Sequence, residues 1–335
     1  MKDPLQQIKE SNDNYLNTIY AIIGFMNVYK FELEKDGSKV KLFQGRKLDK
    51  KNEPSVFVTP DIGILIDDKS GLIGEVKNTF PKEQSQWKEN FKQLLNYDSN
   101  LIGWPNKSEV ISSHDVVLLI HDSQSVPVRD YFLSKEKKGE IKFRKPFIIV
   151  EYARSDEAKP FFRFRIQHGR LSLSKIHDKL YNGLPVPLDI FAGLFSKIKI
   201  YDTEPHLSWM LWLIYSCILD KATGEGKYHK LNKNVKLDID TSINEVTDLL
   251  YQTYSFHPFH KNHQNRQAKF PKEEWVKKGV QKLIALHEAS WINESKGDFR
   301  FSLKRYEPIL EHYVLSCIED QRAKSQMSLF KKEEM

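Results

Sequence analysis

The sequence predicts an α/β protein, in which a small mixed sheet flanked by helices is followed by a mostly helical domain. In the first half, a helical pattern precedes three strand-like runs, a second helical pattern and further strands, in the order αβββαβ. From Tyr201 onward, apolar residues recur at helical spacing. At 335 residues the chain is longer than one average domain. We therefore expect one domain over 1–200, a second over 201–320 and a tail over 321–335.

Local patterns predict the elements of the first half. A first helix is expected from about Leu5 to Val28, with one apolar face formed by Leu16, Ile19, Tyr20 and Ile23. Three strands are expected at "VKLFQGRKL", "SVFVTPDIGILI" and "GLIGEVKNTF", with Asp67 and Asp68 in the turn before the third strand. A second helix is expected at "KEQSQWKENFKQLLNYDSNL", and two more strands at "DVVLLIH" and "FIIVEYA". The run "FFRFRIQHGRLSL" would extend the sheet at its edge, and "YNGLPVPLD" is expected to be a boundary or surface loop.

The second half is predicted to be helical, with a hairpin near its end. The run "LSWMLWLIYSCIL" is expected to be a buried helix, because it is too short for a hydrocarbon core that needs ~20 residues. "TGEGKYHKLNKN" is expected to be an exposed loop, and Ser242 with Glu245 matches a capping box that opens the helix "INEVTDLLYQTY". The next helix, "PKEEWVKKGVQKLIALHEA", has an apolar face formed by Val276, Val280, Leu283 and Ile284. Two short strands then surround a Lys-Gly-Asp turn, and this order is typical of a winged helix.

Composition limits the class of protein more than its function. The formal net charge of +7 is compatible with phosphate-rich partners, although a lysine-rich surface also serves solubility. Cys217 and Cys317 are the only cysteines, which excludes a disulfide framework and a four-cysteine zinc site. The opening "MKDPLQQIKESNDN" is unlike a secretory signal. We expect a cytoplasmic protein that does not enter a membrane.

Two acidic residues and a lysine on neighbouring strands carry the predicted chemistry. Asp61 is expected to end one strand, and Glu75 lies inside the next. Strand alternation sends Glu75 and Lys77 to one face, which leaves the Val76 carbonyl as a further ligand. Carboxylate and carbonyl oxygens suit Mg²⁺, and Lys77 would position a water molecule that attacks a phosphodiester. The alternative interpretation is that Asp61 is a turn residue and that Glu75 and Lys77 form a solvated cross-strand ion pair.

Pro60-Asp61 followed by Glu75-Val76-Lys77, within the αβββαβ order, resembles the PD-(D/E)xK nuclease superfamily with its restriction-endonuclease-like or RecB-like core. The resemblance covers about the first half of the chain. It implies an Mg²⁺-dependent nuclease, with Mn²⁺ as a substitute, and leaves open DNA or RNA as substrate and endo- or exonucleolytic cleavage. The leading hypothesis is a DNA endonuclease that acts in DNA repair, replication-linked processing or defence against foreign DNA. The alternatives are a DNA-binding adaptor without catalysis and a nuclease of the same fold that acts on RNA. A homodimer would suit paired cuts in duplex DNA, but the sequence has no dimerisation signature.

The same resemblance extends to the helices around the strands. RecB-like members carry a Gln and a later Tyr on the helix after Glu-x-Lys, and "KQLLNYD" supplies Gln93 and Tyr97. Gln93 would contact a metal-bound water or the scissile phosphate, or else lie on the surface above a packed tyrosine. Many members also have a Glu on the first helix. Glu10 is the candidate here, and Glu32 and Glu34, just past the predicted helix end, are its rivals.

The C-terminal half supplies candidate DNA contacts. Basic residues decorate the second helix and the wing of the predicted winged helix: Lys277, Lys278, Lys282, Lys296 and Arg300. Such side chains suit sequence-independent phosphate contacts, while a protein-binding winged helix is the alternative. His257, His260 and His263 are interpreted as a polar loop rather than a zinc site, since no second ligand cluster accompanies them.

The tail contains "QMSLF", which resembles the bacterial sliding-clamp-binding peptide. Leu329 and Phe330 would enter an apolar pocket of the clamp, with Met327 between them and the anchoring Gln326. The alternative is that Leu329 and Phe330 dock on their own domain. The partners expected from the sequence are therefore DNA and a DNA polymerase sliding clamp.

Overall fold

The structure is a computed structural model that describes residues 3–105, 110–155, 161–188, 200–201, 203–223, 237–254, 270–303, 313 and 315–317. The chain divides into two compact units. The sheet unit comprises Leu16–Asp202 and Phe256–Lys269. The helix-rich unit comprises Met1–Tyr15, Thr203–Ser255 and Phe270–Met335.

The first helix, α1, spans Pro4–Glu34 and is longer than predicted. Its buried positions continue beyond Val28 to Tyr29 and Leu33, so packing extends the helix by more than a turn. Glu32 and Glu34 therefore lie inside α1, and the prediction that they follow its end is wrong. The helix ends before Gly37, which has a φ of 83° and whose N–H donates to the Glu34 carbonyl, as expected for a glycine after a helix.

A seven-stranded mixed sheet is the centre of the sheet unit. The strands of this unit are β1 (Val40–Phe43), β2 (Leu48–Lys50), β3 (Glu53–Val58), β4 (Ile62–Ile66), β5 (Ser70–Lys77), β6 (Leu101–Ile102), β7 (Ser113–His121), β8 (Phe147–Ser155), β9 (Phe161–His168) and β10 (Leu184–Pro187). The order in the large sheet is β1-β4-β5-β7-β8-β9-β10, and β3-β2-β6 form a small separate sheet. The pairs β5-β7 and β7-β8 are parallel, and the other pairs of the large sheet are antiparallel.

Helices cover both faces of the large sheet, which confirms the predicted α/β class. The remaining helices of the sheet unit are α2 (Trp87–Tyr97), α3 (Asp122–Lys137) and α4 (Ser174–Tyr181). One face of the sheet shares a buried cluster with α2 and α3, which contribute Phe91, Leu94, Val128 and Phe132. On the other face, the Phe25 ring of α1 lies 5.9 Å from the Phe164 ring. Along the large sheet, the chain order α1, β1, β4, β5, α2, β7 follows the predicted αβββαβ order.

Several boundaries differ from the prediction. The run "VKLFQGRKL" is two strands, because Gly45, with a φ of 62°, breaks it after β1. Likewise "SVFVTPDIGILI" divides into β3 and β4, so Asp61 precedes a strand rather than ending one. "YNGLPVPLD" contains β10, where Pro185 and Pro187 are tolerated because β10 is the sheet edge; β9 therefore lies inside that edge. The turn at Asp67 and Asp68 is confirmed, and both residues have positive φ.

Besides the first part of α1, the helix-rich unit contains three helices and a small antiparallel sheet among its described residues. Its elements are α5 (Leu207–Thr223), β11 (Leu237–Ser242), α6 (Ile243–Tyr254), α7 (Glu273–Ala285), β12 (Ala289–Asn293) and β13 (Asp298–Leu303), with sheet order β11-β13-β12. The predicted hairpin is confirmed, with Gly297 at a φ of 73° in its turn. The N–H of Glu245 donates to Ser242 Oγ at 3.2 Å, as the capping box predicts. Among the described helices, none has the length and apolar character needed to cross a membrane.

Candidate active site

Asp61 is held against β5 at the point where β4 begins. The β4–β5 ladder begins with the pair Ile62 and Gly74, so Pro60 lies outside it, and the Pro60 carbonyl accepts a hydrogen bond from the Gly45 N–H. Beyond the end of this ladder, the Asp61 side chain bonds to β5 in place of the backbone: its Oδ2 accepts from the Val76 N–H at 2.9 Å. Asp61 is 3% exposed. Its carboxylate therefore lies beside the backbone between Glu75 and Lys77.

Glu75 and Lys77 lie on one face of β5, as strand alternation predicts. Lys77 Nζ donates to Glu75 Oε2 at 3.2 Å. Glu75 is buried, whereas the Lys77 side chain is 26% exposed and reaches solvent. The Val76 side chain is buried on the opposite face. A molecule that approaches this face therefore meets the ammonium first, with the Glu75 carboxylate behind it.

Helix α2 adds two polar groups to the same place. Gln93 Oε1 accepts a hydrogen bond from Lys77 Nζ at 3.3 Å, so Gln93 is not a detached surface residue. The Tyr97 hydroxyl, one helical turn later, donates to Glu75 Oε1 and lies 3.3 Å from the Thr59 carbonyl oxygen. The structure thus brings together five predicted residues: Asp61, Glu75, Lys77, Gln93 and Tyr97.

Two buried groups fix the elements that carry these side chains. A Cβ at Gly74 would lie 2.3 Å from the Val117 carbonyl oxygen, so the close approach of β5 and β7 just before Glu75 requires glycine. The imidazole of His114 on β7 hydrogen-bonds the Tyr97 carbonyl through Nε2 at 2.8 Å. Burial lowers the pKa of His114 to about 4, so this ring is neutral at pH 7 and its Nε2–H donates. The last turn of α2 is thereby fastened to the sheet.

Asp61, Glu75 and the Val76 carbonyl are suitable ligands for a divalent cation. When ionised, the two carboxylates and the Lys77 ammonium carry one net negative charge, and a buried negative charge favours a cation. The N–H and C=O of a strand residue point to the same side, so the Val76 carbonyl faces the side on which Asp61 accepts from the Val76 N–H. Among the described residues, no group of three or more His, Cys, Asp and Glu side chains is placed to hold a metal ion. A metal here would therefore depend on two carboxylates, a main-chain carbonyl and water, a set that Mg²⁺ accepts.

Comparison with known proteins identifies no relative that would assign a function to these residues. No family model, curated protein or solved structure matches the chain.

The first-helix acids occupy different surroundings. Glu10 belongs to the helix-rich unit, and its carboxylate accepts a hydrogen bond from Gln6 at 3.2 Å. Glu32 is ion-paired with Lys179, and the hydrogen bond from that lysine is the main cause that lowers the pKa of Glu32. Glu34 pairs with Lys30 at 4.0 Å. A role for Glu10 at the metal stays a prediction.

The predicted DNA-binding cations of the helix-rich unit have varied surroundings. Lys278 contacts the Glu204 carboxylate at 2.7 Å, and Arg300 forms two hydrogen bonds with Asp240 at 2.6 and 2.9 Å. Lys282 Nζ lies 5.5 Å from the centre of the Tyr313 ring. Lys277 and Lys296 are exposed. Pairing with acids partly neutralises two of the five candidate cations.

Some predictions fall outside the described residues. These are the histidine loop (His257, His260 and His263), the exposed loop "TGEGKYHKLNKN" after Thr223, and the clamp-binding peptide with Gln326, Met327, Leu329 and Phe330.

Cys217 and Cys317 are free thiols. Burial raises the pKa of Cys217 to about 12, so its thiol is protonated and unreactive at pH 7.

Sequence reasoning missed one polar group near the site. Glu151 is buried in β8, within the otherwise apolar run "FIIVEYA". Its carboxylate accepts from Ser125 Oγ and from Arg165 Nε, each at 2.8 Å. A carboxylate inside an apolar strand is itself a signal in the sequence, since an unpaired buried charge is costly. Its partners, however, become apparent only when the strands are placed side by side.

Proposed function

We propose that this protein is a metal-dependent nuclease of the PD-(D/E)xK type that hydrolyses phosphodiester bonds in DNA. One observation carries the proposal. The Lys77 ammonium lies within hydrogen-bond distance of both Glu75 and Gln93, next to an Asp61 carboxylate held on the intervening Val76 N–H. A simple surface ion pair would not account for two buried carboxylates beside a solvent-accessible lysine.

The side chains have separate tasks in this proposal. Asp61, Glu75 and the Val76 carbonyl would hold Mg²⁺, or Mn²⁺ in its place. A bound ion supplies charge stabilisation for the phosphate and a water of lowered pKa. The Lys77 ammonium orients the attacking water and faces the charge that develops on the phosphate. Gln93 and Glu75 fix the position of that ammonium, and Tyr97 fixes Glu75.

The order of the elements supports the same assignment. The antiparallel run β1-β4-β5, followed by α2 and the parallel strand β7, is the arrangement expected of a PD-(D/E)xK core. In the helix-rich unit, the succession α5, β11, α6, α7, β12, β13 is that of a winged helix, which we propose as an additional DNA-binding element. Its candidate phosphate contacts are Lys277, Lys278, Lys282, Lys296 and Arg300.

Cleavage of plasmid DNA by the full chain tests the proposal. With Mg²⁺ or Mn²⁺ the wild-type protein should cut, and chelator should stop the reaction. Lys77→Ala should reduce the rate by about 10²–10³-fold, as removal of one donor that faces the developing charge does. Asp61→Asn, which keeps an oxygen for the Val76 N–H, should also lose activity because it removes a metal-binding charge. Lys69→Ala, an exposed lysine in the turn before β5, is the matched control and should retain full activity.

The outcomes separate the alternatives. Equal cleavage by the wild-type protein, Lys77→Ala and Asp61→Asn would show that the activity does not come from this site. DNA binding without cleavage in either metal would favour the adaptor. Cleavage of matched labelled RNA but not of DNA would favour the RNA-directed nuclease.

A further inference from the structure

Arg165 lies on the same sheet face as the candidate active site, three strands away. In register, Lys77 is opposite Ile120 on β7, Ile120 is opposite Glu151 on β8, and Glu151 is opposite Arg165 on β9. Directly opposite residues point to the same face, so Lys77, Glu151 and Arg165 form one row across the sheet. With ~4.8 Å between neighbouring strands, the row is about 14 Å long from Lys77 to Arg165.

Glu151 fixes the Arg165 guanidinium in this row. Arg165 Nε donates to Glu151 Oε1, and Ser125 in the first turns of α3 donates to Glu151 Oε2. Glu151 is 3% exposed, and its two oxygens thus have separate donors. Burying a carboxylate costs several kcal/mol that an apolar residue would avoid. The arrangement therefore holds an arginine in one orientation at a cost in stability.

The guanidinium so held is open to a ligand. The Arg165 side chain is 46% exposed, and within the described part of the chain it makes its hydrogen bond through Nε alone. The two terminal nitrogens of a guanidinium offer four further N–H donors in a planar fork, which matches a phosphate. Arg163, also exposed, lies on the same face two residues earlier. A Cβ at Gly183 would lie 3.8 Å and 4.0 Å from the Cδ atoms of Arg163 and Arg165, so the two arginine stems run side by side.

We infer that Arg165, oriented by Glu151 and accompanied by Arg163, binds a backbone phosphate of duplex DNA whose scissile phosphate lies at Lys77. The length of the row is comparable with the ~12 Å width of the major groove of B-DNA, so one duplex can reach both ends. Arg165 is thus a binding residue and Glu151 a positioning residue. The identity of the substrate rests on the proposed nuclease function, whereas the phosphate contact is testable without catalysis.

Duplex binding by the full chain tests this contact. All proteins carry Lys77→Ala so that no cleavage interferes, and anisotropy of a labelled duplex is measured over a range of salt concentrations. Arg165→Ala should weaken binding about tenfold, as loss of a charged hydrogen-bonding group does, and should lower the slope of log affinity against log salt by about 1. Arg165→Lys should keep the slope but recover only part of the affinity, because lysine lacks the fork.

Arg154→Ala is the matched control. Arg154 lies on β8, next to the strand that carries Arg165, but its side chain points to the opposite face and donates to Asn17 on α1 at 3.2 Å. It removes the same charge and should change affinity less than about twofold, within the range of an unrelated surface substitution. Glu151→Gln retains the guanidinium and an oxygen that can accept from Arg165 Nε, so affinity should fall less than in Arg165→Ala.

The results separate this inference from the nuclease proposal. Equal effects of Arg165→Ala and Arg154→Ala on affinity and slope would overturn the phosphate contact, even in a protein that cuts DNA. The absence of any duplex binding would overturn it as well. A selective effect of Arg165→Ala supports the contact even if the wild-type protein does not cleave.

Discussion

The Glu75 carboxylate is bonded at both oxygens, by the Lys77 ammonium and by the Tyr97 hydroxyl. An ionised carboxylate has about four lone-pair positions, so it can accept hydrogen bonds and coordinate a cation at the same time. The two donors come from β5 and from α2, so a strand and a helix together set the orientation of the carboxylate. Such prior fixation is what a metal ligand needs, because little reorganisation is then left for binding.

His114 makes the folding stability of the protein depend on pH. Its pKa of about 4 in the folded protein, lowered mainly by burial, lies below the ~6.5 of an exposed imidazole. As the pH falls, the unfolded chain therefore takes up this proton first, and stability is lost between pH 6.5 and pH 4. From pH 7 to pH 5 the loss from this residue should be about 2 kcal/mol. His114→Gln keeps a donor for the Tyr97 carbonyl and should lack this component.

Urea unfolding at the two pH values measures the effect. The difference between the wild-type protein and His114→Gln is the relevant quantity, because other groups titrate in both. His287→Asn, at an exposed position with a φ of 61° that asparagine tolerates, is the control and should follow the wild-type profile. A His114→Gln profile parallel to wild type would contradict the neutral, buried state of this ring.

At the scale of single elements, local periodicity predicted most of the candidate site. Alternation along β5 placed Glu75 and Lys77 on one face, and the four-residue spacing on α2 placed Tyr97 one turn after Gln93. Both rules follow from backbone geometry within one element. The contact of Asp61 with the Val76 N–H depends instead on where the β4–β5 pairing begins, and a sequence does not show that register.

The sequence did not predict α3 or β10, two elements that depend on tertiary contacts. Helix α3 contains Pro127, which removes a backbone donor and interrupts the helical pattern. Its fully buried Val128 and the nearly fully buried Phe132 pack on the sheet and offset that loss. Strand β10 contains two prolines and is acceptable only because it lies at the sheet edge. In each case the decisive information is the position of a neighbouring element, which local sequence does not contain.

The orientation of α2 can be tested by moving its glutamine. Consecutive helical residues differ by 100° around the axis, so a glutamine at position 92 cannot occupy the place of Gln93 beside Lys77. Gln93→Ala and the double variant Lys92→Gln/Gln93→Ala should both lower the Mg²⁺-dependent cleavage rate about tenfold or more, as loss of a charge-assisted hydrogen bond does. Lys92→Gln alone should remain near wild type, since Lys92 is exposed and pairs with Glu89.

Cleavage rates at saturating DNA distinguish this from a loss of DNA binding. Recovery of activity in the double variant would mean that the glutamine acts without a fixed direction. That result would remove Gln93 from the proposed set of positioning residues.

At the scale of the whole molecule, the net charge of +7 does not show where a phosphate would bind. The pairings of the side chains are more informative. In the helix-rich unit, Lys278 and Arg300 are matched by Glu204 and Asp240. The carboxylates bind Arg300 through both Nε and a terminal nitrogen and take Lys278 Nζ with both oxygens, whereas Glu151 binds Arg165 through Nε. The terminal nitrogens of Arg165 are therefore the better placed donors, and we expect substitution of Arg165 to weaken duplex binding more than substitution of Lys278 or Arg300.

The C-terminal peptide is predicted from the sequence to join the protein to a sliding clamp. Tethering through Gln326–Phe330 to a sliding clamp would raise the local concentration of the protein at DNA to the order of millimolar. On circular duplex loaded with clamp, cleavage at low protein concentration should therefore be accelerated about tenfold or more. The double variant Leu329→Ala/Phe330→Ala should lose this acceleration and should cut clamp-free DNA at the wild-type rate, because neither residue belongs to the proposed catalytic set. Lys331→Ala/Lys332→Ala is the control in the same tail and should keep the acceleration. Equal acceleration of all three proteins, together with equal binding to purified clamp, would remove the clamp as a partner and leave the active site unaffected.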